Sequence, residues 1–69
     1  MEIQRRLGLN VQRLRRQKGW SQEALAFESG LHRTYISGIE RGVRNPTIEI
    51  VAKLAQTLDV PASELLAEK

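Results

Sequence analysis

Apolar residues in this chain recur at helical intervals and never alternate, which restricts the fold to packed helices. Ile3, Leu7, Val11 and Leu14 follow one another at steps of four, four and three. Such steps place side chains on one stripe of an α-helix. Val51, Leu54, Ala55 and Leu58 form a second stripe at i, i+3, i+4 and i+7. No segment alternates apolar and polar residues with period two, so no strand is expected.

Helix starts and stops divide the chain further. Lys18 near a carbonyl end suits the helix dipole, and Gly19 suits a left-handed exit, so the first helix is expected to end there. Gly8 costs up to ~1 kcal/mol against Ala in a helix, and the first turn is therefore expected to fray. Ser21 caps a second helix, about 22–29, in which Leu25, Ala26 and Phe27 take buried positions and which Gly30 stops. A third helix, about 33–40, turns Ile36 and Ile39 inward and ends at Gly42. Val43 to Pro46 form a loop, Thr47 caps a fourth helix, and Asp59-Val60 break it. Pro61 suits the first turn of a short fifth helix carrying Leu65 and Leu66. The reading is an all-α bundle of five helices in a single domain over residues 1–69.

A chain of 69 residues holds one domain with a marginal core, a size at which pairing often adds stability. Cysteine is absent, which excludes disulfides and thiolate metal sites and fits a reducing cytoplasm. The lone His32 makes a poor metal site, so no metal is expected. No apolar run approaches the ~18 residues of a membrane span. The stretch Met1–Arg6 lacks the apolar block of a signal peptide, and no linker, tail or repeat stands out. A cytoplasmic protein without a membrane partner is expected.

The net charge of +3 is less informative than its distribution. Residues 1–44 hold nine Lys/Arg against four acids, a balance of +5; residues 45–69 hold two against four, a balance of −2. Arginine outnumbers lysine, and its planar fork suits phosphate oxygens and guanine edges. The basic half suggests a face for a polyanion.

The second helix, a tight turn through Ser29-Gly30-Leu31 and the third helix read as a helix-turn-helix over about 22–40. In such a unit the first helix crosses the DNA backbone while the second enters the major groove. Leu25, Leu31, Ile36 and Ile39 lock the two helices. Arg33, Thr34, Ser37 and Arg41 then share the outer side of the third, with Tyr35 flanking them.

These residues resemble those of the Cro-type (Xre) helix-turn-helix family. The likeness lies in Trp20-Ser21-Gln22-Glu23-Ala24-Leu25-Ala26, Gly30-Leu31, Ile36-Ser37-Gly38-Ile39-Glu40-Arg41-Gly42, Arg44-Asn45-Pro46, Leu54-Ala55, Leu58 and Val60. It spans roughly residues 7–67. Within the family, the run Leu31 to Arg41 is most similar to the controller proteins of restriction–modification systems. The resemblance implies a five-helix, lambda-repressor-like fold and a homodimeric transcription regulator on double-stranded DNA. It implies that Gln22 binds a phosphate together with nearby backbone N–H groups. Arg33, Thr34, Tyr35 and Ser37 would face the major groove, Arg33 as the main guanine reader at about 1–3 kcal/mol of discrimination. Arg41 lies on the same side, and Arg44, with Asn45, would bind phosphate or reach a base. Arg15 and Glu40 match a family pair that ties the first helix to the third. Ile48, Ala62 and Leu65 would form the dimer surface, which implies half-sites ~34 Å apart in an inverted repeat.

Three residues keep open readings. Gly38 inside a short helix either lets the backbone approach DNA or is simply tolerated on an exposed face. Trp20 is either an aromatic of the site or, the preferred reading, a packing residue at the corner between the first two helices. His32, at the start of the third helix, is assigned to capping or to facing phosphate.

Enzymatic activity is not expected: there is one His, no Cys, no phosphate-binding loop and little room for a pocket. No cofactor or small-molecule ligand is expected, since no effector domain is apparent, and regulation would follow protein concentration. The alternative is a protein-binding module such as an antitoxin. That reading requires an apolar or acidic outer face on the third helix, whereas Arg33, Arg41 and nearby Arg44 are basic.

Overall fold

The computed structural model describes residues 2–68, which form five helices: α1 (Ile3–Gln17), α2 (Gln22–Ser29), α3 (Arg33–Glu40), α4 (Ile48–Thr57) and α5 (Ala62–Leu65). No strand occurs among the described residues. Two starts are capped by side chains, as the residue types require. Ser21 Oγ accepts from Ala24 N–H at 3.0 Å, and Thr47 Oγ1 accepts from Ile50 N–H at 3.2 Å.

The ends of α1 to α4 share one geometry. In each, a residue just past the helix turns left-handed and the next N–H reaches back to a carbonyl five residues earlier: Trp20 to Arg15, Leu31 to Ala26, Val43 to Gly38 and Val60 to Ala55, at 3.0–3.1 Å. This is the Schellman ending, which satisfies carbonyls that the helix leaves free. Glycine fills the left-handed position three times; at the end of α4 it is Asp59, with φ +60°.

The core lies where α1, α2, α3, α4 and α5 converge. Leu7, Val11, Leu14, Leu25, Ile36, Ile39, Leu54, Leu58 and Leu65 are buried in it, with Trp20 and Leu31 packed at its edge. The helix α3 rests on α1 and α2, and α5 rests on α1 and α4.

Four expectations are corrected. Phe27 is 85% exposed rather than buried, because Leu25, Ala26 and Ser29 already define the inner side of α2 and Phe27 falls opposite. Ile3, at the head of the first stripe, is more than half exposed, and Leu66 is on the surface beyond the end of α5. Gly8 does not loosen α1: the helix runs unbroken from Ile3, and Gly8 is buried against the last turn of α3. A Cβ on residue 8 would lie 2.7 Å from Glu40 O and closer still to Ile39 O. The glycine sets how near α1 and α3 can come.

Candidate nucleic-acid interface

The helix α3 is fixed from behind by a buried ion pair. Arg15 Nε donates to Glu40 Oε2 at 2.7 Å and Arg15 Nη2 to Glu40 Oε1 at 3.0 Å. The side chains are only 9% and 2% exposed. Buried charges of this kind need every polar atom satisfied, and here they are: Arg15 Nη1 donates to Trp20 O at 2.8 Å, and Gln22 Nε2 donates to Glu40 Oε1 at 3.1 Å. The hydrogen bond to Glu40, aided by its charge, holds the Arg15 guanidinium protonated even more firmly than usual, against the desolvation that acts the other way. The first turn of α2, the end of α1 and the end of α3 thereby share one carboxylate. Gln22, expected at a phosphate, has its amide nitrogen engaged in this network.

In front, α3 presents Arg33, Thr34 and Arg41 to solvent and Ser37 half-buried between them. Arg33 Nε lies 3.5 Å from Glu23 Oε2, both side chains largely in water. An exposed pair of this kind is worth about 0–1 kcal/mol and yields readily to a stronger anion. Arg41 and Arg44 form no ion pair among the described residues. The loop after α3 carries Arg44 back across the helix. Its guanidinium carbon stands 5.4 Å from the centre of the half-buried Tyr35 ring, and its stem crosses Gly38. Gly38 is consequently covered by a side chain, not open to solvent as either sequence reading held. Asn45 is exposed next to it.

Two other assignments find a definite place. Trp20 packs at the core edge with Lys18 Nζ 5.0 Å above its ring. His32 occupies the N-cap of α3, but its side chain makes no capping hydrogen bond. No three His, Asp or Glu side chains converge as a metal site among the described residues. No helix among them is long and apolar enough to cross a membrane.

A family model for the helix-turn-helix, HTH_3, matches residues 11–65. The chain belongs to this family. HTH_3 chains are Xre-type DNA-binding transcription regulators rather than enzymes. The control protein C.BamHI of Bacillus amyloliquefaciens is 48% identical over 60 residues, covering 86% of this HTH_3 chain and 74% of that protein. The crystal structure of the restriction-modification controller protein C.AhdI from Aeromonas hydrophila is similar at a TM-score of 0.86 and 47% identity, over 90% of this chain and 94% of that one. SinR, the master regulator for biofilm formation, has a crystal structure in complex with DNA that matches at a TM-score of 0.84 and 35% identity, over 88% of this chain and 98% of that one.

On the acidic half of this HTH_3 chain, Ile48 is 87% exposed and Ala62 is exposed as well. Leu65, assigned with them to a dimer surface, has no accessible surface at all. Its side chain faces inward on the short α5 and belongs to the core, so it cannot meet a mate while the domain is closed.

Two structural roles are not anticipated by the sequence reading. Asn10, buried on α1, donates through Nδ2 to Leu65 O and Ala67 O, both at 2.8 Å, and so secures the chain after α5. Gly8 permits the α1–α3 contact. A polar side chain beside an apolar helical stripe, and a glycine within one, are the signals that could have found them.

Proposed function

We propose that this regulator acts as a homodimer on an inverted-repeat operator, and that it is an autoregulatory controller of a restriction–modification system. The observation that carries the DNA-reading assignment is the outer side of α3. Arg33, Thr34, Ser37 and Arg41 lie along it, and Arg44 is folded back beside them, on a helix anchored by a buried bidentate ion pair. Arg33 supplies guanine recognition, Thr34 a methyl contact, and Tyr35 and Ser37 contacts to base edges or phosphate. The N-terminus of α2, with Gln22, holds the backbone and sets the register, and the loop residue Arg44, with Asn45, binds phosphate or reaches a base. Similarity to C.BamHI and C.AhdI supports the controller assignment, and the exposed Ile48 and Ala62 support pairing through the acidic half. The working place is the cytoplasm, and control follows protein concentration without a small-molecule effector. A protein-binding role for α3 would require an apolar or acidic outer side, and the side is basic.

Fluorescence anisotropy tests the reading, using DNA from upstream of the protein's own gene and scrambled DNA at two salt concentrations. The upstream DNA should bind ~10³-fold or more tightly, with affinity falling steeply as salt rises. Arg33→Ala should relax sequence preference more than it weakens binding overall. Equal binding of both DNAs by the parent would refute autoregulation and shift weight to the protein-binding reading, and an Arg33→Ala variant with unchanged preference would refute the assigned reading face.

A further inference from the structure

We infer that Gly38 is a specificity-positioning residue: it leaves vacant the place on α3 into which the loop delivers Arg44 as a base reader. The inference rests on the DNA-reading role proposed for α3. Gly38 lies one turn beyond Thr34, on the flank of the outer side of α3. A side chain there would ordinarily project toward the groove. In this chain the space is occupied instead by another residue's stem. A Cβ on residue 38 would lie 2.6 Å from Arg44 Cγ, 3.3 Å from Arg44 Nε and 3.5 Å from Arg44 Cδ.

Three features hold Arg44 in that place. The Schellman ending of α3, with Gly42 at φ +77° and Val43 N–H on Gly38 O at 3.0 Å, turns the chain back over the helix just before residue 44. The flat surface of Gly38 receives the aliphatic stem. The Tyr35 ring, half-buried and packed on the core, faces the guanidinium at 5.4 Å. A long side chain pre-placed in this way loses less freedom on binding than one waving from a loop. No carboxylate pairs with it among the described residues, so its donors remain for DNA.

A methyl group at residue 38 dislodges this arrangement at its root. Cγ is the second carbon of the arginine stem, so the 2.6 Å contact is relieved only by turning the side chain near the backbone. That rotation swings the guanidinium off Tyr35 and out of the reading side. The same substitution favours the helix itself, because alanine is the better helix former. A purely structural role and a positioning role therefore predict different outcomes.

The test is a double-mutant cycle of Gly38→Ala and Arg44→Ala, with affinities measured on the operator and on its single-base variants. Gly38→Ala should weaken operator binding roughly 5- to 150-fold, the worth of one arginine–base contact, and should flatten preference at the same base pair as Arg44→Ala. On the Arg44→Ala background it should change nothing further. Additive losses, or a Gly38→Ala variant that reads as the parent does, would overturn the inference. A second measurement on the DNA-free protein separates this inference from the operator reading. By NMR, the Arg44 side-chain protons should carry a ring-current shift from Tyr35 in the parent and lose it in Gly38→Ala. Retention of that shift overturns the positioning role even if the parent proves to have no sequence preference.

Discussion

Replacing Gly8 by alanine should weaken the fold, although the exchange improves the helix that contains it. Helix propensity favours alanine by about 1 kcal/mol. Against this stands the geometry at the α1–α3 crossing. The new methyl carbon would lie 2.7 Å from Glu40 O, 2.9 Å from Glu40 C and nearer still to Ile39 O. All three are main-chain atoms in the last turn of α3, and none can rotate aside as a side-chain tip would. Restoring carbon–oxygen contacts to ordinary distances requires α1 to retreat by on the order of 1 Å. Overpacking of this kind costs about 1–3 kcal/mol. The retreat also thins the core to which Val11 of α1 and Ile39 of α3, both wholly buried, contribute, and lengthens the Arg15–Glu40 hydrogen bonds. The propensity gain offsets only part of this, leaving a net loss of about 1 kcal/mol. For a domain of this size that lowers Tm by roughly 4–8 °C. Thermal unfolding followed by circular dichroism, at one fixed protein concentration, measures it. Gly19→Ala is the control, because a Cβ there meets nothing within 4 Å and only the φ of +73° is strained. A Gly8→Ala protein that melts at or above the parent temperature would refute the close-approach argument.

Three other outcomes follow from the structure. Arg15→Met should cost about 3–5 kcal/mol by stranding the Glu40 charge, and the double variant Arg15→Met, Glu40→Met should regain most of it; urea titration of the four proteins closes the cycle. Phe27→Ser should leave stability within about 0.5 kcal/mol of the parent, because the ring is in water, whereas Leu25→Ala on the same helix should lose about 2–5 kcal/mol; matched losses in chemical denaturation would contradict the assigned faces of α2. Glu23→Gln frees Arg33 from a competing carboxylate and removes a negative charge beside the reading side, so DNA affinity should rise by up to ~5-fold, the equivalent of an exposed pair; anisotropy at low salt reports it.

Much of the architecture was legible because it is written in local rules. Apolar spacing placed α1 and α4, Ser21 and Thr47 marked two starts, and Gly19, Gly30, Gly42 and Asp59-Val60 marked four ends. Each signal acts within a few residues, which is why a linear reading recovers it. The misreadings share the opposite character. Phe27 is apolar, but a two-turn helix has room for only one buried side, and tertiary packing chose Leu25 and Ala26. Gly8 looked like a cost, and Gly38 like either an approach point for DNA or a tolerance, yet each is defined by what lies across from it: the α3 carbonyls for one, the Arg44 stem for the other. Leu65 was placed by likeness on a partner surface, but with α5 only four residues long its large apolar side chain is drawn into the core. The reading side was legible as a set of residue types at helical steps. That Gln22 joins the buried pair, and that Arg44 lies on Tyr35, depend on contacts between segments that no spacing rule connects.

The Asn10 side chain joins the first helix to the far end of the chain, and this bears on the order in which the molecule assembles. Asn10 reaches carbonyls 55 and 57 residues away, and Arg6 Nη1 reaches Leu66 O across 60. The α2–α3 unit, by contrast, closes over a few residues. Because the entropy of closing a loop rises with its length, the neighbouring-helix contacts can form early, while the clasp between the two ends must wait for the whole chain to be drawn in. The clasp is thus the natural place for the native molecule to begin to open, and amide exchange should report the turn after α5 releasing before the centre of α3.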